Sequence, residues 1–420
     1  MKDLRHSMEA IFLVAVLLLS SGAFAPLWND PSATNRATDG DPALQCVWAA
    51  IYCIVIVFLV PYSNHVLRLM VANKLLMLLT LLCIVSAAWS DDPSVSLRKG
   101  VALFGTTLVG LLLTVRFEMR GQLRLLTVAL GLAALASLMV SLFCPQLCPP
   151  TELTPGAWNG VFSHKNLLGR AMSLGVVAFL SLDRATLPGI LFAWSGAALC
   201  GAMLLASHSQ TALVVVVAMI VVPCFSALLR WDWRQASASF LSLLLVALPL
   251  AWFASQHSDD LLDLLHRDAT LTGRARIWTF AALSFARHRW LGYGYGAFWW
   301  VSNESRQTLA LIRYPTPHAH NGLLDLGLQL GIVGIAVFLF GWLINAFAAV
   351  RTLCCSASRE ARWPWLYLLF LLFYTLTENS LLSPNSLLWI LYVSACSSVT
   401  LNPIRSSLRS PKLVLEPSPI

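Results

Sequence analysis

"PTPHAHNGLLDLGLQLGIVGIAVFLFGWLINAFAAV", residues 315–350, decides the fold. The apolar run at 321–349 is long enough to cross a ~30 Å hydrocarbon core. Polar side chains stand at its mouth: His318, His320, Asn321 and Asp325. Pro315 and Pro317 can lead into a helix, and Asn321 with Asp325 can complete its first turns. Helix capping therefore accounts for Asn321 and Asp325 without chemistry. It leaves His318 and His320 unexplained, and a histidine at a membrane–water boundary is a ready general base at neutral pH.

Working outward, apolar runs of similar length fall at 8–28, 43–62, 70–89, 99–115, 122–143, 161–181, 187–206, 211–229, 237–255, 363–382 and 386–402. The 420 residues are 58% hydrophobic and only 11% charged. A soluble domain carries roughly 25% charged residues. The expected fold is an all-α polytopic membrane protein forming one integral membrane domain over 1–420, with about twelve spans.

The net charge of +8 does not call for a nucleic-acid partner. With the N-terminus inside, the basic residues collect in alternate loops. These hold Lys2 and Arg5; Arg68 and Lys74; Arg116, Arg120 and Arg124; Arg184; Arg230 and Arg234; Arg351, Arg359 and Arg362; and Arg405, Arg409 and Lys412. This positive-inside bias puts both termini in the cytoplasm. The exception is an outer loop of some sixty residues, 256–320, between helices 9 and 10. Long loops escape the charge bias, and long ordered loops are usually functional. Within it, "TGRARIWTFAALSFARHRWLGYGYG" reads as a helix along the membrane face. Trp278, Phe285 and Trp290 suit the interface, and Gly292 its end.

The start, "MKDLRHSMEAIFLVAVLLLSSGAFAP", has the basic head, apolar core and small-residue end of a secretory leader. Its length also suits a first spanning helix, the reading adopted. Most cysteines lie in apolar runs as small hydrophobes. Cys144 and Cys148 share a loop where a disulfide could form in an oxidising compartment. No CxxC pair points to zinc and no P-loop points to ATP, so neither metal nor cofactor is expected.

Several polar constellations remain. In "GVFSHKNLLGRAMS", 160–173, Ser163 reads as the N-cap of the sixth helix. Ser163, Asn166, Arg170 and Ser173 then share one face. Arg170 would lie about 10 Å along the axis, where a charge needs a wet cavity or an anionic partner. "SHSQTALV", 207–214, is a short outer turn whose hydroxyls can cap the next helix. "LTGRARIW", 271–278, clusters Arg274 and Arg276, and guanidinium forks bind phosphate bidentately. "LGYGYGAFWW" alternates three glycines, as a backbone packed tightly against something bulky would. "DGD", 39–41, and "WSDDPSVSLRKG", 89–100, read as solvated acidic turns.

The order of these segments resembles the O-antigen ligase and Wzy-type polymerase superfamily, and among its subgroups the ExoQ-type exopolysaccharide polymerases. "WSDDPSVSL", "GVFSHKNLLG", "SHSQTAL", "TGRARIW", "WLGYGYGAF" and "HAHNGLLDLGLQLGIVG" carry the resemblance over roughly 85–335. It implies a multi-helix fold with a large periplasmic loop in the bacterial inner membrane. It also implies transfer of a glycan from an undecaprenyl-diphosphate-linked donor to an acceptor glycan. Arg274 would then handle the diphosphate. His320 would be the general base, with His318 beside it. His164, Lys165, Asn166, Arg170, Arg276 and Asn321 would line the substrate site. One departure stands out: relatives often carry Arg or Lys in the 207–211 turn, where this chain has His208 and Gln210. Polymerase and ligase share these motifs, and a lipid-linked glycan flippase is the rival of another class. A chain-length regulator and export machinery are the expected partners.

Overall fold

The computed structural model describes residues 2–25, 41–147, 156–229, 274–302, 305, 318–355, 358–379 and 381–409. Among them the regular elements are all helices, chiefly α1 (Lys2–Ser20), α2 (Pro42–Leu59), α3 (Ser63–Ala72), α4 (Lys74–Val85), α5 (Pro93–Arg116), α6 (Met119–Phe143), α7 (Lys165–Ser181), α8 (Leu187–Ala206), α9 (Gln210–Leu229), α10 (Arg274–Arg287), α11 (Gly322–Cys355), α12 (Trp363–Thr375) and α13 (Leu387–Arg409). Helices stand on eleven of the twelve expected runs. The run at 237–255 lies outside the described residues, as do about half of the expected loop, Asp39, Cys148 and Lys412. Among the described residues, five stretches are long and apolar enough to cross a membrane on their own: 42–72, 93–116, 119–143, 187–206 and 322–353. The protein is a polytopic membrane protein.

In lipid, helices associate through close packing and buried polar contacts rather than a hydrophobic drive. The seam of α5, α6 and α13 is built this way. Gln122 accepts from Ser394 Oγ at 2.6 Å and donates to Ser398 Oγ at 3.1 Å; the Trp389 indole donates to Thr107 Oγ1 at 2.9 Å. One end of the bundle gathers the loops predicted to share a side. Glu9, fully buried, takes Arg116 at 2.5 Å and Arg5 at 3.1 Å. Arg120 links Asp183 at 2.5 Å to Glu360 at 3.4 Å.

The opposite end is a three-part clamp, which explains several motifs at once. Asp92 caps α5, accepting from Ser94 N and Val95 N at 3.0 Å each. These hydrogen bonds to its ionised form hold the carboxyl below the usual range. Gly292, Gly294 and Gly296 all have positive φ. The first lies on the Leu328–Gln329 backbone, the second on Ser90 and the third on Lys99. Tyr293 N donates to Leu328 O at 2.8 Å, Asp91 N to Tyr293 O at 3.1 Å, and Ser96 Oγ to Tyr295 O at 2.9 Å. The glycine segment is thus a structural splice between the 89–100 turn and α11. Gly292 serves this contact rather than the end of the preceding helix. Of the aromatics expected at the membrane interface, Trp290 is 63% exposed, whereas Phe285 packs inward.

Gly331 completes the clamp. At φ 64° and ψ −163° it divides α11 into two helices, a conformation essentially reserved for glycine. A Cβ there would meet the Trp290 carbonyl carbon at 2.2 Å. Gly331→Ala should therefore cost at least about 1–3 kcal/mol. Thermal unfolding in detergent checks this against Gly201→Ala, where a Cβ meets nothing within 4 Å. That substitution should be neutral or stabilising.

Candidate active site

The site forms where the start of α7, the mouth of α11 and the end of α12 meet. The 17 residues of α7 separate it from Asp183 and Arg184 by about 25 Å, so it lies at the end away from the arginine-rich loops. His320 has φ 52°, a region that histidine tolerates better than most residues but still at a cost. Its neighbours on both sides hold it there. Asp325, buried at 1% exposure, accepts from Ala319 N at 3.0 and 3.2 Å and from the Trp299 indole at 2.7 Å. Trp278 of α10 donates to Ala319 O at 2.8 Å. On the other side, Asn321 Oδ1 accepts from Leu323 N and Leu324 N at 3.1 Å each, so it caps α11 as expected. Asp325 has a different job from the helix-start role expected of it: it ties down the histidine loop. Trp278 likewise serves that loop.

So held, His320 Nδ1 lies 3.1 Å from Glu378 Oε2. The rings of His318 and His320 meet edge to face, with centroids 4.2 Å apart. Glu378 Oε1 accepts from Asn166 Nδ2 at 3.4 Å. His164 is within electrostatic range of both Glu378 and His320. Four site residues inferred from sequence, His164, Asn166, His318 and His320, therefore converge on one carboxylate. Glu378 was missed because it sits at the end of an apolar run, in "TLTENS". A lone carboxylate there was the available signal.

The α7 cap differs from expectation. His164, not Ser163, is the N-cap: it is extended at φ −153° and ψ 146°, and its Nδ1 accepts from Asn166 N. Ser163 therefore precedes the helix rather than sharing the face of Asn166 and Arg170. Nδ1 can accept only while the ring lacks that proton, and burial by the surrounding protein lowers the His164 pKa. The unfolded chain then binds the proton more readily, so the stabilisation is complete above the ordinary histidine pKa of about 6.5. It falls away as pH drops through the lower folded value. Between pH 7 and 5, wild type should lose thermal stability relative to His164→Asn, whose cap does not titrate. Parallel melting curves check this.

Lys165 opens α7, and its charge contributes to the His164 shift. Arg170 lies further along α7, within electrostatic reach of Tyr374 and Tyr367. It makes no ion pair among the described residues. The buried Tyr374 Oη near it lacks a hydrogen-bond partner among the described residues, as does the buried Asn379 Oδ1, next in sequence to Glu378. Arg274 opens α10 and Arg276 follows two residues later; their side chains lie outside the described residues. Arg274 thus begins the turn that leads to Trp278, which holds the histidine loop.

Chemically, the Glu378 carboxylate selects the His320 tautomer with its proton on Nδ1, leaving Nε2 as the acceptor. A carboxylate-oriented imidazole is a general-base arrangement. The ligand-capable atoms of His318, His320 and Glu378 also lie within 4.8 Å of one another. That donor set could hold a metal ion, which the sequence reading did not expect.

Fold and site together define a polytopic membrane protein with a histidine–carboxylate pair at one face. Residues 195–339 match the family model described as O-antigen ligase. The chain is also 26% identical over 295 residues to the exopolysaccharide production protein ExoQ of Rhizobium meliloti, covering 67% of this chain and 66% of that one. The chain thus spans just under two thirds of its relative's length. Both likenesses point to the O-antigen ligase and Wzy-type polymerase superfamily.

Proposed function

We propose that the chain is a polymerase joining undecaprenyl-diphosphate-linked oligosaccharide repeat units at the periplasmic face of the bacterial inner membrane. The observation that carries this reading is the His320–Glu378 pair, beside His164 and Asn166, at the end away from the arginine-rich loops. The charge bias of those loops assigns them, and both termini, to the cytoplasm. About twelve spans complete this topology, with 256–320 as the periplasmic loop.

In the proposed step an acceptor-sugar hydroxyl attacks the anomeric carbon of the donor. His320 Nε2 takes the hydroxyl proton as the new glycosidic bond forms. The bond from the anomeric carbon to the diphosphate breaks, and undecaprenyl diphosphate departs with the electron pair. The leaving group is already good, so no nucleotide is needed. Positive charge must stabilise it, and Lys165, Arg170, Arg274 and Arg276 are the candidates. The unpartnered Tyr374 Oη and Asn379 Oδ1 are suited to sugar hydroxyls.

The likeness to an exopolysaccharide production protein favours polymerisation. A ligase passing finished polymer to lipid A core would use the same chemistry. Expression in cells lacking the native gene separates the readings, with surface and lipid-linked glycans sized by gel. Restored long polymer supports the polymerase. Long polymer that stays on carrier lipid unless this chain is present indicates the ligase. Repeat units trapped on the cytoplasmic side without it indicate a flippase. Chelator added to membranes should leave polymerisation unchanged; its loss would assign His318, His320 and Glu378 to a metal.

A further inference from the structure

The arginine-rich end carries a second feature that transfer chemistry does not use. A cavity of about 250 Å³ opens between α7, α8, α9 and α12. Arg184, Arg359 and Arg362 line it, with Leu180, Trp194 and Ile220 among its apolar walls. Arg184 stacks on Trp194, with its guanidinium carbon 4.4 Å from the ring centroid, and donates to Leu180 O at 3.2 Å. Its Nε is buried without a hydrogen-bond partner among the described residues. Of the nearby carboxylates, Asp183 pairs with Arg120 at 2.5 Å, and Glu360 Oε1 approaches the same Arg120 at 3.4 Å without a hydrogen bond. Three arginines thus line one cavity, and no ion pair to any of them occurs among the described residues. Burial and the like charge of Arg359 both press on Arg184, lowering its pKa. An anion in the cavity would relieve that repulsion.

We propose that this cavity binds the phosphate headgroup of an anionic phospholipid from the adjacent leaflet. Guanidinium forks suit a phosphodiester. The apolar rim argues for a lipid rather than a free ion. Trp194 is 53% exposed, Ile220 43% and Leu191 of α8 60%, a lipid-facing surface that leads into the arginines. Basic pockets between helices on the cytoplasmic side are a recurrent form of anionic-lipid site.

The test uses the purified full chain in detergent. Thermal unfolding and native mass spectrometry are followed with added phosphatidylglycerol, phosphatidylcholine or inorganic phosphate. Phosphatidylglycerol should be retained and raise the melting midpoint, and the other two should not. The variant Arg359→Gln/Arg362→Gln changes two exposed side chains and should fold normally. It should weaken phosphatidylglycerol binding roughly 10–30-fold. Equal stabilisation by phosphatidylcholine, or an unchanged affinity in the variant, overturns the proposal. Protection by inorganic phosphate alone overturns the lipid assignment in favour of a free anion. Glycan transfer is not among the readouts, so the result is independent of the proposed reaction.

Discussion

His320→Ala should abolish long-polymer formation in cells and lower the transfer rate in membranes by about 10²–10⁴-fold, the usual contribution of a positioned general base. The expectation rests on three constraints that act on one ring. Asp325 and Trp278 fix Ala319 just before it. Asn321 begins the helix just after it. Glu378 occupies Nδ1 and leaves Nε2 for the acceptor hydroxyl. Such an arrangement pays backbone strain at φ 52° to aim a side chain. His318→Ala removes a neighbouring ring but neither the base nor its orienting carboxylate, and should cost less than about tenfold. Single repeat units should accumulate on carrier lipid in the first variant and not in the second, at matched membrane levels. A reversed pattern moves the base to His318.

The second large effect concerns the carboxylate. Glu378→Gln should reduce the maximal rate by about 10²-fold or more and leave donor KM within about threefold. Glutamine retains the shape and still reaches His320. Its amide, however, can donate to Nδ1 and so favour the tautomer with the proton on Nε2, which cannot accept. The loss then falls on the chemical step rather than on binding. Glu378→Ala should be worse, because it leaves Asn166 and His320 without the oxygen atoms they contact. Comparing both variants by saturation kinetics and thermal melting separates positioning from folding. A melting midpoint that falls in step with activity would make Glu378 structural.

The positive φ at Gly292, Gly294, Gly296 and Gly331 shows how local and distant information divide. The alternating glycines of 292–296 announce a close approach but not its target. The targets are 90–99 and 328–329, far away in sequence, so no local pattern names them. The same limit applies to Asp325. Its position four residues into a helix suggests a favourable helix start, yet its partners are Ala319 N and the Trp299 indole.

Sequence alone determined the all-α membrane class, the helices on eleven of the apolar runs and the histidine-bearing mouth. Hydrophobicity, loop charge and capping chemistry are local properties, readable in windows of one helix length. It also brought forward His164, Asn166, His318 and His320 as candidates, since polar groups beside apolar runs are costly unless used. Only the tertiary structure decided that these side chains meet, and that they meet at Glu378. It also placed Arg184, Arg359 and Arg362 around one cavity. Both groupings join helices distant in the chain, and the packing of those helices is set by side-chain fit across the bundle rather than by any short stretch of sequence.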